Sequence, residues 1–297
     1  MSKQKWRTVV SYLFSFFLAF FLFVIVILTT TRFTLMSSNY FMNKMDAVDY
    51  YDNTATELNR FIKNNAAPSG FPLEIFENYI KEEDIRDEMI RYEENMFEGK
   101  HTVVSVDEIR KRVVKDTDKY IIDNNIVLNP STRLGVEDFI NTIVNQYTYL
   151  TQFPYINEYV SIINLFEKVY MLSIPVLLII SALLCLAIYK LYDSKRRRKK
   201  YYSYALIGSG LLIGTLPFYL YAVRFFERIN LSPKYMYDLL VALTRTYLFV
   251  NIMVGICFIL FGFMVTYLKL KPKRKKGERS RTSQELEMIS NFEQENN

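Results

Sequence analysis

Histidine occurs once and cysteine twice in this 297-residue chain, and that scarcity removes whole classes of chemistry. A zinc site draws several Cys, His or carboxylate ligands at set spacings, and neither H-E-x-x-H nor paired cysteines occur. The lone His101 follows Gly99 in a polar stretch, where a single imidazole is expected to be solvated. There is no P-loop, no G-x-G-x-x-G and no G-x-S-x-G elbow, so nucleotide binding and serine hydrolysis lack their usual machinery. Cys185 and Cys257 both fall inside apolar runs, which leaves the polar part of the chain without a disulfide. No cofactor and no metal are expected, and the chain reads as non-enzymatic.

Charge is missing from four stretches. Residues 9–31, 169–189, 201–223 and 246–268 contain no Asp, Glu, Lys or Arg, and each run is at least 21 residues long. About 20 apolar residues cross a hydrocarbon core of about 30 Å. Within it every backbone polar group must be satisfied inside the segment, which makes each run a helix. The expected fold class is all-α: a four-pass helical membrane protein with a helical extracytoplasmic domain between spans 1 and 2. The first run has a basic start, yet its 23 residues exceed the roughly 7–15 of a signal-peptide core. It ends in Thr29, Thr30, Thr31 and Arg32 without a small-residue cleavage site, so an uncleaved anchor is expected.

What is abundant is positive charge beside those runs. Lys195, Arg196, Arg197, Arg198, Lys199 and Lys200 separate the second run from the third, and Lys273, Arg274, Lys275 and Lys276 follow the fourth. Cytoplasmic segments of membrane proteins carry such an excess of Lys and Arg. The expected layout is therefore a cytoplasmic N-terminus (1–8), span 1 (9–31), an outer helical domain (32–167) and span 2 (168–190). A basic cytoplasmic loop (191–200), span 3 (201–223), an outer amphipathic loop (224–245), span 4 (246–268) and a basic, mostly disordered cytoplasmic tail (269–297) complete it. Residues 32–167 hold 23 acidic against 14 basic side chains, a net of −9 within a chain of net +6. The basic clusters are expected to touch anionic lipid headgroups, each cation contributing about 1 kcal/mol near the surface. Nucleic acid is not an expected partner, because the cations hug the membrane ends. A domain without cysteine fits the plasma membrane of a bacterium better than an animal cell surface.

Within 32–167 the apolar pattern is helical. Phe41, Met45, Val48, Tyr51, Ala55, Leu58 and Ile62 recur at steps of three and four and read as one stripe on one helix, with span 1 running toward it. The segment from Ala66 to Gly70 ends it, and Pro72 opens a short helix bearing Leu73, Phe76 and Ile80. An acidic run from Glu82 to Glu94 follows, interrupted by Ile85, Met89 and Ile90 and stopped at Gly99. Ser105 and Glu108 have capping-box spacing before a helix with Ile109, Val113 and Tyr120. Asn129-Pro130-Ser131 reads as a turn, then Val136, Phe139, Ile143, Tyr147 and Leu150 form another stripe. After Phe153-Pro154 a helix is expected to run without a break into span 2. Ser232 and Pro233 open the outer amphipathic element with Met236, Leu239, Leu240 and Leu243, which either lies on the leaflet or docks under the domain.

Three clusters bear on chemistry. Asp46, Asp49 and Asp52 repeat every three residues, a spacing open to a calcium site, but without a D-x-D-x-D-G loop they read as a solvated helix face. Arg224, Glu227, Arg228 and Asp238 are the compact charged set at a membrane surface that an enzyme acting on lipid or envelope precursors would need. Gly208, Gly210 and Gly214 give span 3 a small face for close helix packing, within the bundle or in a homo-oligomer. The spans hold no charge, which argues against ion conduction.

The order of one span, a large outer domain and three more spans resembles, in topology and length, the FtsX-type permease subunits. That resemblance implies a cytoplasmic ATPase partner and a coupling segment after span 2, where this chain has Lys190 to Lys200, almost pure charge. The preferred functional expectation is a domain that binds a protein partner or a cell-envelope component.

Overall fold

The computed structural model describes residues 3–267, and all regular structure among them is helical. The helices are α1 (Lys3–Phe33), α2 (Ser38–Ala47), α3 (Tyr50–Ala66), α4 (Glu82–Phe97), α5 (Asp107–Asp123), α6 (Pro130–Thr151), α7 (Ile156–Leu191), α8 (Lys195–Ala222) and α9 (Lys234–Tyr267). Short 3-10 turns occur at Leu73–Phe76 and Phe225–Arg228. Four of these helices, α1, α7, α8 and α9, are long and apolar enough to cross a membrane.

Helices in lipid gain little from apolar contact with one another, so close packing and hydrogen bonds hold them together. The Ser203 hydroxyl donates to the Gly262 carbonyl at 2.7 Å, and Thr266 donates to Ser203 at 2.7 Å, joining α8 to α9. Ser15 of α1 reaches the Tyr201 carbonyl at 3.1 Å. Thr30 donates to the Asn251 side-chain oxygen at 3.0 Å, so Asn251 bonds a neighbouring helix. Thr30 and Thr31 are themselves helical, and α1 runs past them to Phe33 before it stops.

It does not run on into the next stripe. The Met36 N–H closes a turn on the Thr31 carbonyl at 3.0 Å, and Ser37 caps α2. The stripe from Phe41 to Ile62 is likewise broken, between α2 and α3, because Asp49 adopts φ 50°. Asp tolerates that left-handed region better than most residues. The Asn53 amide holds the break, donating to the carbonyls of Val48 and Asp49 at 3.2 and 2.8 Å. Ser105 does not cap α5: no side-chain cap bond is made there, and its backbone N–H is taken instead by Glu88 of α4 at 2.7 Å. Asn129 is a helix cap rather than a turn residue, its side-chain oxygen accepting the Thr132 N–H at 2.8 Å with Pro130 in the first helical turn. Gly70 and Gly99 do end their helices, at φ 85° and 77°, where a side chain would be strained.

The outer amphipathic segment is the first part of α9, which continues unbroken into the fourth membrane-length stretch. Its Tyr235, Met236, Leu239 and Leu243 are buried in the same apolar core as Tyr50, Ile62, Phe76, Met89, Ile143 and Val160 of the domain. The domain is thus packed onto α9 as well as carried on α7. The Tyr235 hydroxyl donates to the Leu150 carbonyl at 3.2 Å, linking α9 to α6. Arg32 and Glu167 form an ion pair of 2.7 Å where α1 and α7 leave their apolar stretches.

Candidate functional site

The basic run is helical. Lys195 to Lys200 form the first turns of α8, leaving only Tyr192, Asp193 and Ser194 between it and α7. Cations at a helix N-terminus oppose the helix dipole, so the fold gains nothing locally from placing them there. Arg198 lies 4.1 Å over the Tyr189 ring, and Lys200 lies 5.5 Å over Tyr204. Lys273, Arg274, Lys275 and Lys276 lie outside the described residues.

The glycines face different neighbours. A methyl on Gly210 would fall 2.6 Å from the Gly255 carbonyl oxygen, whereas one on Gly208 would meet the Ala19 side chain at 3.3 Å, and one on Gly214 would sit 3.9 Å from Gly255. Gly255 and Gly262 of α9 complete the seam, and spacing within span 3 alone gave no hint of them.

Of the acidic clusters, Asp46, Asp49 and Asp52 straddle the α2–α3 break and do not share one helix face. Asp46 accepts from Arg86 at 2.6 Å, and Arg86 stacks 4.5 Å over Tyr51. Among the described residues no group of three His, Cys, Asp or Glu is placed to hold a metal ion. His101 shares a hydrogen bond of 3.0 Å with Asn157 on the surface. The charged set proposed for lipid chemistry is divided: Arg224 and Glu227 pair at 3.8 Å beside a 270 Å³ cleft that Arg245 also lines, while Arg228 and Asp238 do not line it.

The acidic run contains one surprise. Most of it is solvated, but Glu93 of α4 is fully buried, and neither carboxylate oxygen has a hydrogen-bond partner. The Tyr50 hydroxyl is also buried and unpartnered. Burial, with the Asp46 carboxylate adding to it, pushes the Glu93 carboxyl up to about 8. A buried carboxylate without a partner is expensive, and holding the proton is the cheaper state. Asp84 shows the opposite case. Arg112 of α5 donates to both its oxygens at 2.9 Å and holds its carboxyl below the usual range.

Two surface features stand out. The first is the α5–α6 hairpin tip, where Ile122, Val127 and Leu134 are exposed by 72%, 83% and 62% and Leu128 by 46%. Single exposed apolar residues mean little, but several at one hairpin tip make a candidate interaction surface. Helix α6, 22 residues long, puts this tip about 33 Å from the helix's other end at Thr151.

The second is a pair of hollows beneath the domain. An almost wholly apolar hollow of about 470 Å³ lies between the α1–α2 connection (Leu35, Met36), the start of α7 (Ile156, Ile162) and α9 (Leu240, Leu243). Its walls are tied together: Tyr159 donates to the Leu35 carbonyl and Tyr40 to the Leu243 carbonyl, both at 2.8 Å. A second hollow of about 620 Å³ shares Phe153 to Ile156 and Glu158 with the first and adds Thr148, Gln152, Asn157 and Ser232. Tyr155, 80% exposed and at φ 60°, lines both. Neither Glu93 nor Tyr50 lines either hollow. Sequence reasoning missed both features, because exposure and cavities depend on which stripe packs on which.

Comparison of the chain with protein-family models, with curated proteins and with solved structures finds no match. The fold itself defines the class: a helical protein with four membrane-length helices and a helical domain between the first and second.

Proposed function

We propose that this protein is a non-enzymatic multi-pass protein of a bacterial plasma membrane, with both termini cytoplasmic and residues 32–167 outside, and that its helical domain binds a protein partner of the cell envelope. The orientation rests on the basic residues at the start of α8 and after α9, which belong on the cytoplasmic side and beside anionic headgroups. The binding role rests on one observation, the exposed apolar tip at Ile122, Val127, Leu128 and Leu134, held away from the membrane on α6. A domain with no partner gains nothing from such a surface, which promotes aggregation.

The test is affinity capture of tagged full-length protein from mildly solubilised native membranes, for the natural chain and for a Val127→Asp, Leu128→Asp variant. The reading expects an envelope or membrane protein, near stoichiometric with the natural chain and reduced about tenfold by the variant, as for a hot-spot loss. Identical captures from both chains would refute it. A second reading, a permease subunit, is favoured by α7, one 36-residue helix running from the domain core along the whole second apolar stretch, which suits mechanical coupling. Against it stands the three-residue connection from α7 to α8, which leaves no docking segment for an ATPase. A stoichiometric cytoplasmic ATPase in both captures would favour it.

A further inference from the structure

We propose that the paired hollows beneath the domain bind one single-chain amphiphile with an uncharged or cationic headgroup, drawn from the adjoining leaflet. This rests on the reading that the domain stands on a bilayer surface, but not on which surface.

Position and chemistry argue for it together. The apolar hollow is lined by Leu35, two residues after α1 ends, and by Thr244 of α9, two residues before the fourth apolar run begins. It therefore sits beside the hydrocarbon boundary of α1 and α9, and Ile162 of α7, exposed by 52%, leaves it open at the surface. A cavity of about 150 Å³ holds the six carbons of benzene, so on the same scale 470 Å³ holds roughly sixteen to nineteen carbons. That is one acyl chain and not two. Both volumes fall within the roughly 300–1,000 Å³ of small-molecule sites.

The second hollow supplies what a headgroup needs. Thr148, Gln152, Asn157 and Ser232 offer donors and acceptors, Glu158 the one carboxylate, and no Lys, Arg or His lines either hollow. A phosphate or carboxylate head would meet Glu158 without a compensating cation, so complementarity selects neutral or positive heads. The walls of the apolar hollow are preorganised by the tyrosine hydrogen bonds to Leu35 and Leu243, so little ordering is demanded on binding. Tyr155 is held there in the left-handed region that a β-carbon disfavours, and strain of that kind collects at ligand clamps.

The experiment uses full-length protein in phosphatidylcholine nanodiscs with a photoactivatable monopalmitoylglycerol. After irradiation and digestion, adducts are expected on peptides carrying Leu35 and Met36, Ile156 to Ile162, and Leu239 to Thr244. Labelling should saturate and be competed by unlabelled monoacylglycerols, each added methylene improving competition roughly fourfold until the hollow is full near sixteen carbons. Leu240→Trp should lower labelling about tenfold without lowering the melting temperature. If it unfolds the protein, Met36→Trp fills the hollow from the opposite wall. Photoactivatable palmitate, with an anionic head, should label more weakly, and Glu158→Gln should narrow that gap. Unsaturable labelling spread evenly over the membrane helices, or labelling indifferent to both tryptophans, would overturn the proposal. Equal labelling by palmitate would overturn its headgroup selectivity. Neither result touches the tip, so failure here and failure of protein capture are separable.

Discussion

Gly210 on α8 and Gly255 on α9 face each other with no room for a side chain: a methyl on the first would lie 2.6 Å from the Gly255 carbonyl oxygen, and a methyl on the second 2.8 Å from the Gly210 carbonyl oxygen. Both obstacles are backbone, which cannot swing aside. Helices α8 and α9 pack on that contact, with Ser203 and Thr266 bonding across the same two helices.

Substitutions along this seam should therefore separate by position. Gly210→Ala and Gly255→Ala should each destabilise the protein by about 1–3 kcal/mol through overpacking. Gly214→Ala meets only ordinary contact at 3.9 Å and should be close to neutral, helped by the better helix propensity of Ala. Thermal unfolding in detergent reads the ranking, and equal effects at Gly210 and Gly214 would contradict the packing.

Glu93 sets a dependence on pH of unusual sign. Its folded carboxyl titrates at about 8, against about 4.3 in an unfolded chain. Between those values the folded state holds one more proton than the unfolded state, so stability falls as pH rises. The slope for one proton is about 1.4 kcal/mol per pH unit. The natural chain should lose melting temperature from pH 5 to 8, whereas Glu93→Gln should be flatter over that window and the more stable of the two at pH 8. A natural chain equally stable across the window would show that Glu93 is charged in the fold.

Coupling between α9 and the domain follows from their common core. Leu239 is 3% exposed there, and Leu239→Ala should cost about 2–5 kcal/mol. Hydrogen exchange should report faster amides in α3 and in the first turns of α9 together. Faster exchange in α9 alone would mean that the domain does not depend on it.

The sequence made the long helices legible because uncharged runs of this length have one physical solution, and it made the helix ends at Gly70 and Gly99 legible because few residues accept positive φ. The α2–α3 break was hidden, since Asp49 keeps the stripe in phase while its own backbone turns left-handed. The Ser105 cap failed because Glu88, seventeen residues earlier, claims that N–H. The continuity of α9 was obscured by Asp238 and Arg245, whose charges set its first, amphipathic turns apart from the uncharged run that follows. Glu93 looked like its solvated neighbours, for burial of one acid in an acidic helix depends on what packs above it. The hollows and the apolar tip belong to packing, and no local pattern carries them.

The side of the membrane on which the domain lies decides which partners it can meet, and it can be measured directly. Cys185→Ser and Cys257→Ser remove the native thiols, after which single Val127→Cys and Arg197→Cys chains are treated with a membrane-impermeant maleimide. Val127→Cys should be labelled in intact cells, and Arg197→Cys only after permeabilisation. The reverse pattern would place the domain in the cytoplasm and contradict the account.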